Sequence, residues 1–158
     1  LTTFLASLVK PSGHVFSYEV RPEFIEVAEK NLRRAGLREF VTIINADAKE
    51  GVDVKDADVA IIDVGDPWTL VSPMKAALKS GHYMVAVCPT VNQCERLVSE
   101  LDANGFVDIS TVEIFVRNIE VRSGMTRPST RMIGHTAYLI FSRKTLREDV
   151  KEDISNRK

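Results

Sequence analysis

The chain has 158 residues and a formal net charge of −1, with 44% hydrophobic and 27% charged residues. Its length suits one globular domain with a sizeable core, and its composition is ordinary for a soluble protein. No apolar run reaches about 18 residues and the start does not resemble a signal peptide, so we predict no membrane span.

The apolar pattern predicts helices and strands in alternation. Predicted helices cover 1–10, 22–35, 70–79 and 92–104, and predicted strands cover 15–20, 41–45, 59–63, 82–87, 106–116 and 136–141. Pro22 in the first turn of the second helix and Gly36 after its last turn mark the ends of that helix. The last two strands are expected to pair as an antiparallel hairpin with a long polar connection, residues 118–134.

This order of elements predicts an α/β fold. Strand–helix alternation favours a mostly parallel sheet with helices on both faces, here ending in an antiparallel β-pair. A doubly wound domain should begin with a strand, whereas this chain begins inside a helix. We therefore expect the first strand and its glycine turn to be missing, so that residues 1–144 form a domain truncated at its N-terminus. Residues 145–158 are highly charged and are expected to form a frayed or disordered tail.

Three carboxylates, Glu19, Asp47 and Asp63, come at the ends of successive predicted strands. Ligands of open α/β sheets bind beyond the carboxyl ends of the strands. Glu19 suits a ribose diol, because a carboxylate accepts hydrogen bonds from two hydroxyls, and Asp47 suits an adenine amine. These acids fit either NAD or S-adenosylmethionine, and the terminal antiparallel pair favours the methyltransferase. Each acid alone could also be an ordinary loop carboxylate or a helix cap.

The stretch from Asp58 to Trp68 is the centre of the predicted site. Its apolar run, residues 59–62, reads as a buried parallel strand that ends at Asp63, and Pro67 cannot continue the ladder. Asp63 is therefore predicted at the mouth of the site, with Trp68 as a flat wall beside it. The alternative is that Asp63 caps the following helix and Trp68 packs in the core.

Positive charge is concentrated near the C-terminus. Seven basic residues and one acid, Glu120, lie within residues 117–147, which gives a local balance of +6. Such a stretch is typical of a surface that binds a polyanion, although scattered arginines on a solvated loop would give the same pattern.

The two cysteines, Cys88 and Cys94, bear on metal binding and on the redox setting. They form no CxxC pair and no pair of histidines lies near them, which argues against a metal site and against a disulfide framework. A reducing, cytoplasmic location is the default for such a chain. Whether the two cysteines pair with each other is left open.

Four motifs carry a resemblance to a known family. They are Leu-Thr at residues 1–2, Tyr-Glu-x-Arg at 18–21, Asp-x-x-x-Pro-Trp at 63–68, and Gly-His-Thr-Ala-Tyr-Leu at 134–139, which Arg-Met precedes at 131–132. With these motifs the chain resembles the catalytic domain of the tRNA (adenine-N1)-methyltransferases, which modify adenosine 58 in the T-loop of tRNA. The resemblance covers residues 1 to about 144 and implies a Rossmann-like class I methyltransferase fold.

The resemblance also implies a cofactor, partners and site residues. The cofactor would be S-adenosylmethionine, the substrate tRNA, and the assembly a homotetramer without metal. The implied roles are Asp63 as the catalytic aspartate that contacts the target adenine, and Leu1, Thr2, Glu19, Asp47 and Asp63 around the cofactor. On chemical grounds we add candidates that face the tRNA: Trp68 or Tyr18 could line the pocket of the target base, Arg117 and Arg131 could hold phosphates, and His135 could contact the site or another subunit. The alternative for His135 is a structural histidine bonded to the backbone.

Three other functions stay open. The same fold could methylate a small molecule or a protein, because fold does not fix the substrate. A non-catalytic tRNA-binding partner subunit is a second possibility, and retention of both Glu19 and Asp63 argues against it. A dehydrogenase is the third, and the chain has no recognisable catalytic arrangement of His, Lys and Tyr for it.

Overall fold

Four helices and eight strands make up the part of the chain that the computed structural model describes, residues 1–146. The helices are α1 (Thr2–Val9), α2 (Pro22–Ala35), α3 (Val71–Ala77) and α4 (Val91–Ala103). The strands are β1 (Val15–Tyr18), β2 (Val41–Ile44), β3 (Ala57–Ile62), β4 (Leu78–Cys88), β5 (Phe106–Glu113), β6 (Ile119–Glu120), β7 (Arg127–Pro128) and β8 (Tyr138–Lys144). Every predicted helix and strand is present, α2 with the predicted ends and the others with shifted ends. Almost all of the predicted tail, residues 145–158, lies outside the described residues.

The contacts group the chain into two compact units, Leu1–Val54 and Lys55 onward. In the first unit β1 pairs in parallel with β2, and a small core joins the two helices to the strands. The buried members of this core are Ala6, Leu32, Leu37 and Val41. Gly36 has a φ of +66° and ends α2 in the left-handed conformation, as predicted, which a residue with a Cβ would adopt at a cost.

The second unit is a four-stranded mixed sheet with the order β3-β4-β8-β5. Strand β3 is parallel to β4, and β8 is antiparallel to both β4 and β5. The predicted antiparallel pair of the last two long strands is therefore confirmed. Strand β8 lies between β4 and β5, so that β3, β4 and β5 run in one direction and only β8 is reversed.

Helix α4 covers one face of this sheet and supplies much of its core. It packs against β4, β5 and β8 with a buried stripe of Cys94, Leu97 and Leu101 at helical spacing. Alternate residues of β3, β4 and β8 are also buried: Ala60, Ile62, Met84, Ala86, Cys88, Ile140 and Ser142. Burial of a Leu side chain stabilises a fold by about 1.5–3 kcal/mol, so α4 is held firmly on the sheet.

Two predicted boundaries were wrong for identifiable reasons. Leu78 and Lys79, predicted as the end of a helix, begin β4 instead, because Leu78 pairs with Ala57 of β3. The fifth strand was predicted to run to Val116 but ends at Glu113, which pairs with Tyr138, the first residue of β8. Residues 114–116 therefore have no strand beside them among the described residues. The connection that follows contains a short hairpin of β6 and β7.

No helix in residues 1–146 is long and apolar enough to cross a membrane.

Candidate active site

Glu19 directly follows β1 and is held by the turn that leads into α2. Its Oε1 accepts hydrogen bonds from the backbone N–H of Arg21 at 2.9 Å and from Arg21 Nε at 3.3 Å. The backbone N–H of Arg21 is the main reason that the pKa of Glu19 lies below its ordinary value of 4.5, and the Arg21 side chain adds to it against the opposing effect of burial. The backbone N–H of Val20 makes a smaller contribution to the lowered pKa of this carboxylate, and no hydrogen bond from any other residue engages Oε2 within residues 1–146.

The other predicted cofactor residues of the first unit lie at the ends of α1 and β2. Asp47 follows β2 and caps the turn Ala48–Glu50, its Oδ1 accepting from the backbone N–H of Lys49 at 2.9 Å. Thr2 Oγ1 lies 3.3 Å from Ser17 Oγ and so joins α1 to β1. Leu1, 62% exposed, precedes α1.

Tyr18 is the last residue of β1, and its phenolic oxygen has a partner inside the first unit. It accepts a hydrogen bond from the backbone N–H of Asp53 at 3.2 Å. Asn45 supports the same turn, because its Nδ2 donates to the carbonyl of Glu19 at 2.8 Å and to that of Val20 at 3.2 Å. The end of β1 is thus fixed by the Asn45 side chain and the Asp53 backbone N–H, both from the loop after β2, which the sequence pattern did not reveal.

Asp63 directly follows β3 in the second unit, at the position predicted for it. Its side chain is exposed, and no hydrogen bond or ion pair engages it within residues 1–146. Pro67 is buried and opens a single 3-10 turn, Pro67–Leu70, that leads into α3. Asp63 was predicted either to face the site or to cap the following helix. It does not cap that helix, because the residue before the turn is Asp66, and Asp63 remains an open carboxylate.

Helix α4 holds the loop between Asp63 and Trp68 through two residues that the sequence analysis did not single out. Gln93 Nε2 donates to the carbonyl of Gly65 at 2.8 Å. The guanidinium carbon of Arg96 lies 4.2 Å from the centroid of the half-buried Trp68 ring, a cation–π contact. The sequence does contain the Thr-x-x-Gln capping box of α4, but it gives no sign that Gln93 reaches Gly65, 28 residues away.

His135 joins the ends of two strands. Its Nδ1 is 2.5 Å from Glu113 Oε1 at the end of β5, and its Nε2 is 2.7 Å from the carbonyl oxygen of Pro89, which follows β4. The hydrogen bond to Glu113, with that to Pro89 second, raises the pKa of His135. A carbonyl can only accept, so the bonded ring carries a proton on Nε2, and the protonated form donates to both partners. This geometry favours the structural alternative for His135, and its predicted contact with tRNA stays a prediction.

The connection between β5 and β8 carries the predicted arginines on the surface. Arg117 Nε donates to the carbonyl of Ser129 at 3.3 Å, and the backbone N–H of Arg131 donates to Ser129 Oγ at 3.2 Å. Arg127 pairs with Glu120 at 3.0 Å across the short hairpin. A shallow cavity of about 450 Å³ lies on this hairpin, lined by Glu120, Arg122, Met125, Thr126 and Arg127.

Cys88 and Cys94 are free, buried thiols. Burial is the main cause that raises the pKa of both, to about 11 for Cys88, so both stay protonated at neutral pH. No group of three or more His, Cys, Asp and Glu in residues 1–146 could hold a metal ion.

A family model described as the tRNA methyltransferase complex GCD14 subunit matches residues 1–126. The chain belongs to this family. Membership agrees with the resemblance found in the sequence motifs, three of which, at 1–2, 18–21 and 63–68, lie within the matched residues.

Three related proteins are similar along most of the chain. A tRNA (adenine(57)-N(1)/adenine(58)-N(1))-methyltransferase TrmI from Methanocaldococcus jannaschii is 37% identical and covers 90% of the chain and 60% of its own length. The solved structure of the tRNA (m1A58) methyltransferase TrmI of Aquifex aeolicus has a TM-score of 0.78 at 33% identity, over 89% of this chain and 57% of that one. A SAM-dependent O-methyltransferase from Thermotoga maritima has a TM-score of 0.88 at 42% identity, over 92% and 55%.

These likenesses confirm the predicted fold class. The chain has the Rossmann-like fold of class I S-adenosylmethionine-dependent methyltransferases, with a mixed sheet that includes antiparallel strands. The chain spans between 55% and 60% of the length of these three proteins.

Proposed function

We propose that the protein is a cytoplasmic enzyme that transfers a methyl group from S-adenosylmethionine to N1 of adenosine 58 in tRNA. The observation that carries the proposal is Asp63, an exposed carboxylate directly after β3 that has no partner within residues 1–146, in a chain of this family. The Methanocaldococcus relative is named for adenosines 57 and 58, so the adjacent adenosine is a second candidate acceptor.

The carboxylate acceptors that follow β1 and β2, Glu19 and Asp47, are proposed to bind the adenosine half of the cofactor. Oε1 of Glu19 is occupied by Arg21, which leaves Oε2 to accept from a ribose hydroxyl. Asp47 holds Lys49 with one oxygen and keeps the other for an adenine amine. Leu1 and Thr2 are proposed to lie along the methionine part. When bound, S-adenosylmethionine supplies a strongly electrophilic methyl group on its sulfonium.

Asp63 is proposed to act on the target adenine during methyl transfer. N1 of an unpaired adenine is a neutral and weak nucleophile, so in-line positioning supplies much of the catalysis, worth up to roughly 7–11 kcal/mol of the barrier. Methylation leaves positive charge on the base. The Asp63 carboxylate either accepts a hydrogen bond from the exocyclic amine and so stabilises that charge, or takes the proton. The target base has to be extruded from the folded tRNA, and Trp68 or Tyr18 is proposed to line its pocket.

The connection between β5 and β8 is proposed to bind tRNA and to form subunit contacts. Arg117 and Arg131 lie on its exposed surface and would neutralise phosphates. The same segment exposes large apolar side chains: Ile114 66%, Phe115 56%, Val116 75% and Ile133 74%. Exposed apolar side chains gathered in one segment are typical of an interaction site. With a net charge of −1, one copy would hold tRNA poorly, so we propose a homotetramer that combines several basic surfaces.

A second function is supported by one observation. The Thermotoga structure, with the higher TM-score of the two solved structures above, is described as an O-methyltransferase. The second candidate is therefore methyl transfer to an oxygen of another acceptor on the same fold.

The test is transfer of labelled methyl from S-adenosylmethionine to an unmodified tRNA transcript, followed by digestion and identification of the labelled nucleoside. The matched control is a transcript with guanosine in place of adenosine 58. The proposal predicts 1-methyladenosine in the first transcript and its loss or strong reduction in the second. Binding of the cofactor without any labelled nucleoside would contradict the tRNA assignment and favour another acceptor.

A further inference from the structure

The side chain of Gln93 uses its two amide atoms in two different directions. Its Oε1 accepts from the backbone N–H of Thr90 at 3.0 Å and from Thr90 Oγ1 at 2.9 Å, which forms one half of the α4 capping box. Its Nε2 donates to the carbonyl of Gly65 at 2.8 Å. Because two donors hold Oε1, the orientation of the amide is determined, and the NH₂ group must face the loop after β3.

This bond fixes the loop to a rigid element. Helix α4 is anchored to the sheet by the buried side chains of Cys94, Leu97 and Leu101. Gly65 is two residues after Asp63, so a shift of the Asp63 backbone relative to α4 would strain or break the bond from Gln93. The side chain itself does not reach Asp63 and acts through the backbone of the loop.

Arg96 provides a second attachment of the same loop. It follows Gln93 by three residues and lies on the same side of α4, with its guanidinium carbon 4.2 Å from the Trp68 ring centroid. The loop is thus held on its Asp63 side by a hydrogen bond and on its Trp68 side by a cation–π contact. Two attachments on one helix face determine where the loop can place a carboxylate.

We propose that Gln93 is a positioning residue that fixes the Asp63 loop for the methyl-transfer reaction. The activity part of this inference rests on the proposed function, whereas the structural part does not. Catalysis that depends on in-line geometry is sensitive to small displacements, and misplacement by about 1 Å can cost roughly 100-fold in rate.

The decisive variant is Gln93→Glu. A carboxylate has nearly the same shape and still accepts from Thr90, so it keeps the capping box, but it cannot donate to the carbonyl of Gly65 and repels it. The matched control is Thr90→Val, which removes the capping hydroxyl and leaves the bond from Gln93 to Gly65 available. Gln93→Met, which has neither a donor nor a charge, separates the loss of the bond from the effect of an added charge.

Trp68 is the only tryptophan of this sequence, so its fluorescence reports on the loop whether or not the substrate is known. The measurement is made on the full-length protein, and where that protein has other tryptophans, only the fluorescence of Trp68 is compared. Acrylamide should quench this fluorescence more strongly in Gln93→Glu and Gln93→Met than in the wild type. Thr90→Val should leave quenching unchanged while it lowers Tm by about 2–4 °C. Equal quenching in wild type and both Gln93 variants would overturn the inference.

Kinetics of methyl transfer give the second readout. We expect Gln93→Glu to lower kcat at least about tenfold, which corresponds to about 1.4 kcal/mol, while KM for the cofactor changes less than about threefold. Thr90→Val should keep the wild-type kcat. A kcat loss of the same size in Thr90→Val would assign the effect to helix stability and overturn the positioning role. If the wild type transfers no methyl to tRNA, the proposed function fails, and quenching of Trp68 alone decides the inference about the loop.

Discussion

Replacement of Glu19 by Gln tests the proposed cofactor site at its best-defined residue. In the structure Arg21 donates twice to Oε1, through its backbone N–H at 2.9 Å and through Nε at 3.3 Å. An amide oxygen can take over these bonds, so the turn into α2 is expected to keep its conformation. The amide NH₂ then replaces Oε2, which changes the free acceptor into a donor at the place proposed for the ribose hydroxyl.

The size of the effect follows from the loss of one hydrogen bond to a charged acceptor. Such a bond contributes about 1.5–3 kcal/mol, so the Kd for S-adenosylmethionine should rise roughly 10- to 100-fold in Glu19→Gln. Because Arg21 keeps the pKa of Glu19 below 4.5, the wild-type carboxylate stays ionised as the pH falls through that value. The stability that the ionised Glu19 side chain contributes to the fold is fully present above its ordinary pKa and is lost only as the pH falls through the lowered pKa.

Isothermal titration with S-adenosylmethionine measures this affinity, and thermal unfolding shows whether the variant is folded. Glu26→Gln, a change of the same kind at an exposed position of α2, is the matched control and should bind like the wild type. A folded Glu19→Gln protein with a Kd within about threefold of the wild type would refute the assignment of Glu19 to the ribose, since a lost charged bond is worth more than that.

Three further predictions concern the second unit. Leu97→Ala should destabilise the fold by about 3 kcal/mol or more and lower Tm by roughly 6–12 °C, because Leu97 is buried. Val91→Ala, at an exposed site of the same helix, should change the free energy of unfolding by less than about 0.5 kcal/mol. Equal effects of the two variants in thermal melts would contradict the packing described for α4. The pKa of His135 is raised, so the stability that the protonated ring contributes is fully present below its ordinary pKa of 6.5 and is lost as the pH rises through the raised pKa. The difference in Tm between wild type and His135→Ala should therefore shrink with increasing pH. A difference that stays constant would show that protonation of His135 does not contribute to stability. Arg131→Ala should weaken tRNA binding and reduce the slope of log K against log salt by about 0.7–0.9, and an unchanged slope would mean that this side chain meets no phosphate.

The positions of the candidate site residues that follow strands could be predicted because the signals that end a strand lie within a few residues of it in the sequence. The apolar run before Asp63 and the Pro67 that stops it identify both the strand and the carboxylate after it. Gly36 after the apolar stripe of α2 marks the left-handed end of that helix in the same way. Each of these features depends on neighbours within a few residues, which periodicity and turn chemistry can read.

Contacts between distant segments could not be predicted in this way. The insertion of β8 between β4 and β5 depends on pairing across the whole second unit, and nothing in the pattern of β8 specifies its neighbours. The bond from Gln93 to Gly65 and the contact of His135 with Glu113 join residues 28 and 22 positions apart. A sequence pattern shows that Gln93 can cap a helix and that His135 needs partners, but not which group lies opposite.

The central claim, that Asp63 acts on the target adenine, is tested most directly by a single-turnover rate. Wild type and Asp63→Asn would be mixed with unmodified tRNA at saturating S-adenosylmethionine, so that a change in cofactor affinity does not enter, and 1-methyladenosine would be measured over time. The asparagine side chain keeps the shape but loses the charge that stabilises the methylated base, so the rate should fall about 100- to 10,000-fold. A rate equal to that of the wild type would contradict the account, because the open carboxylate after β3 would then have no part in the reaction.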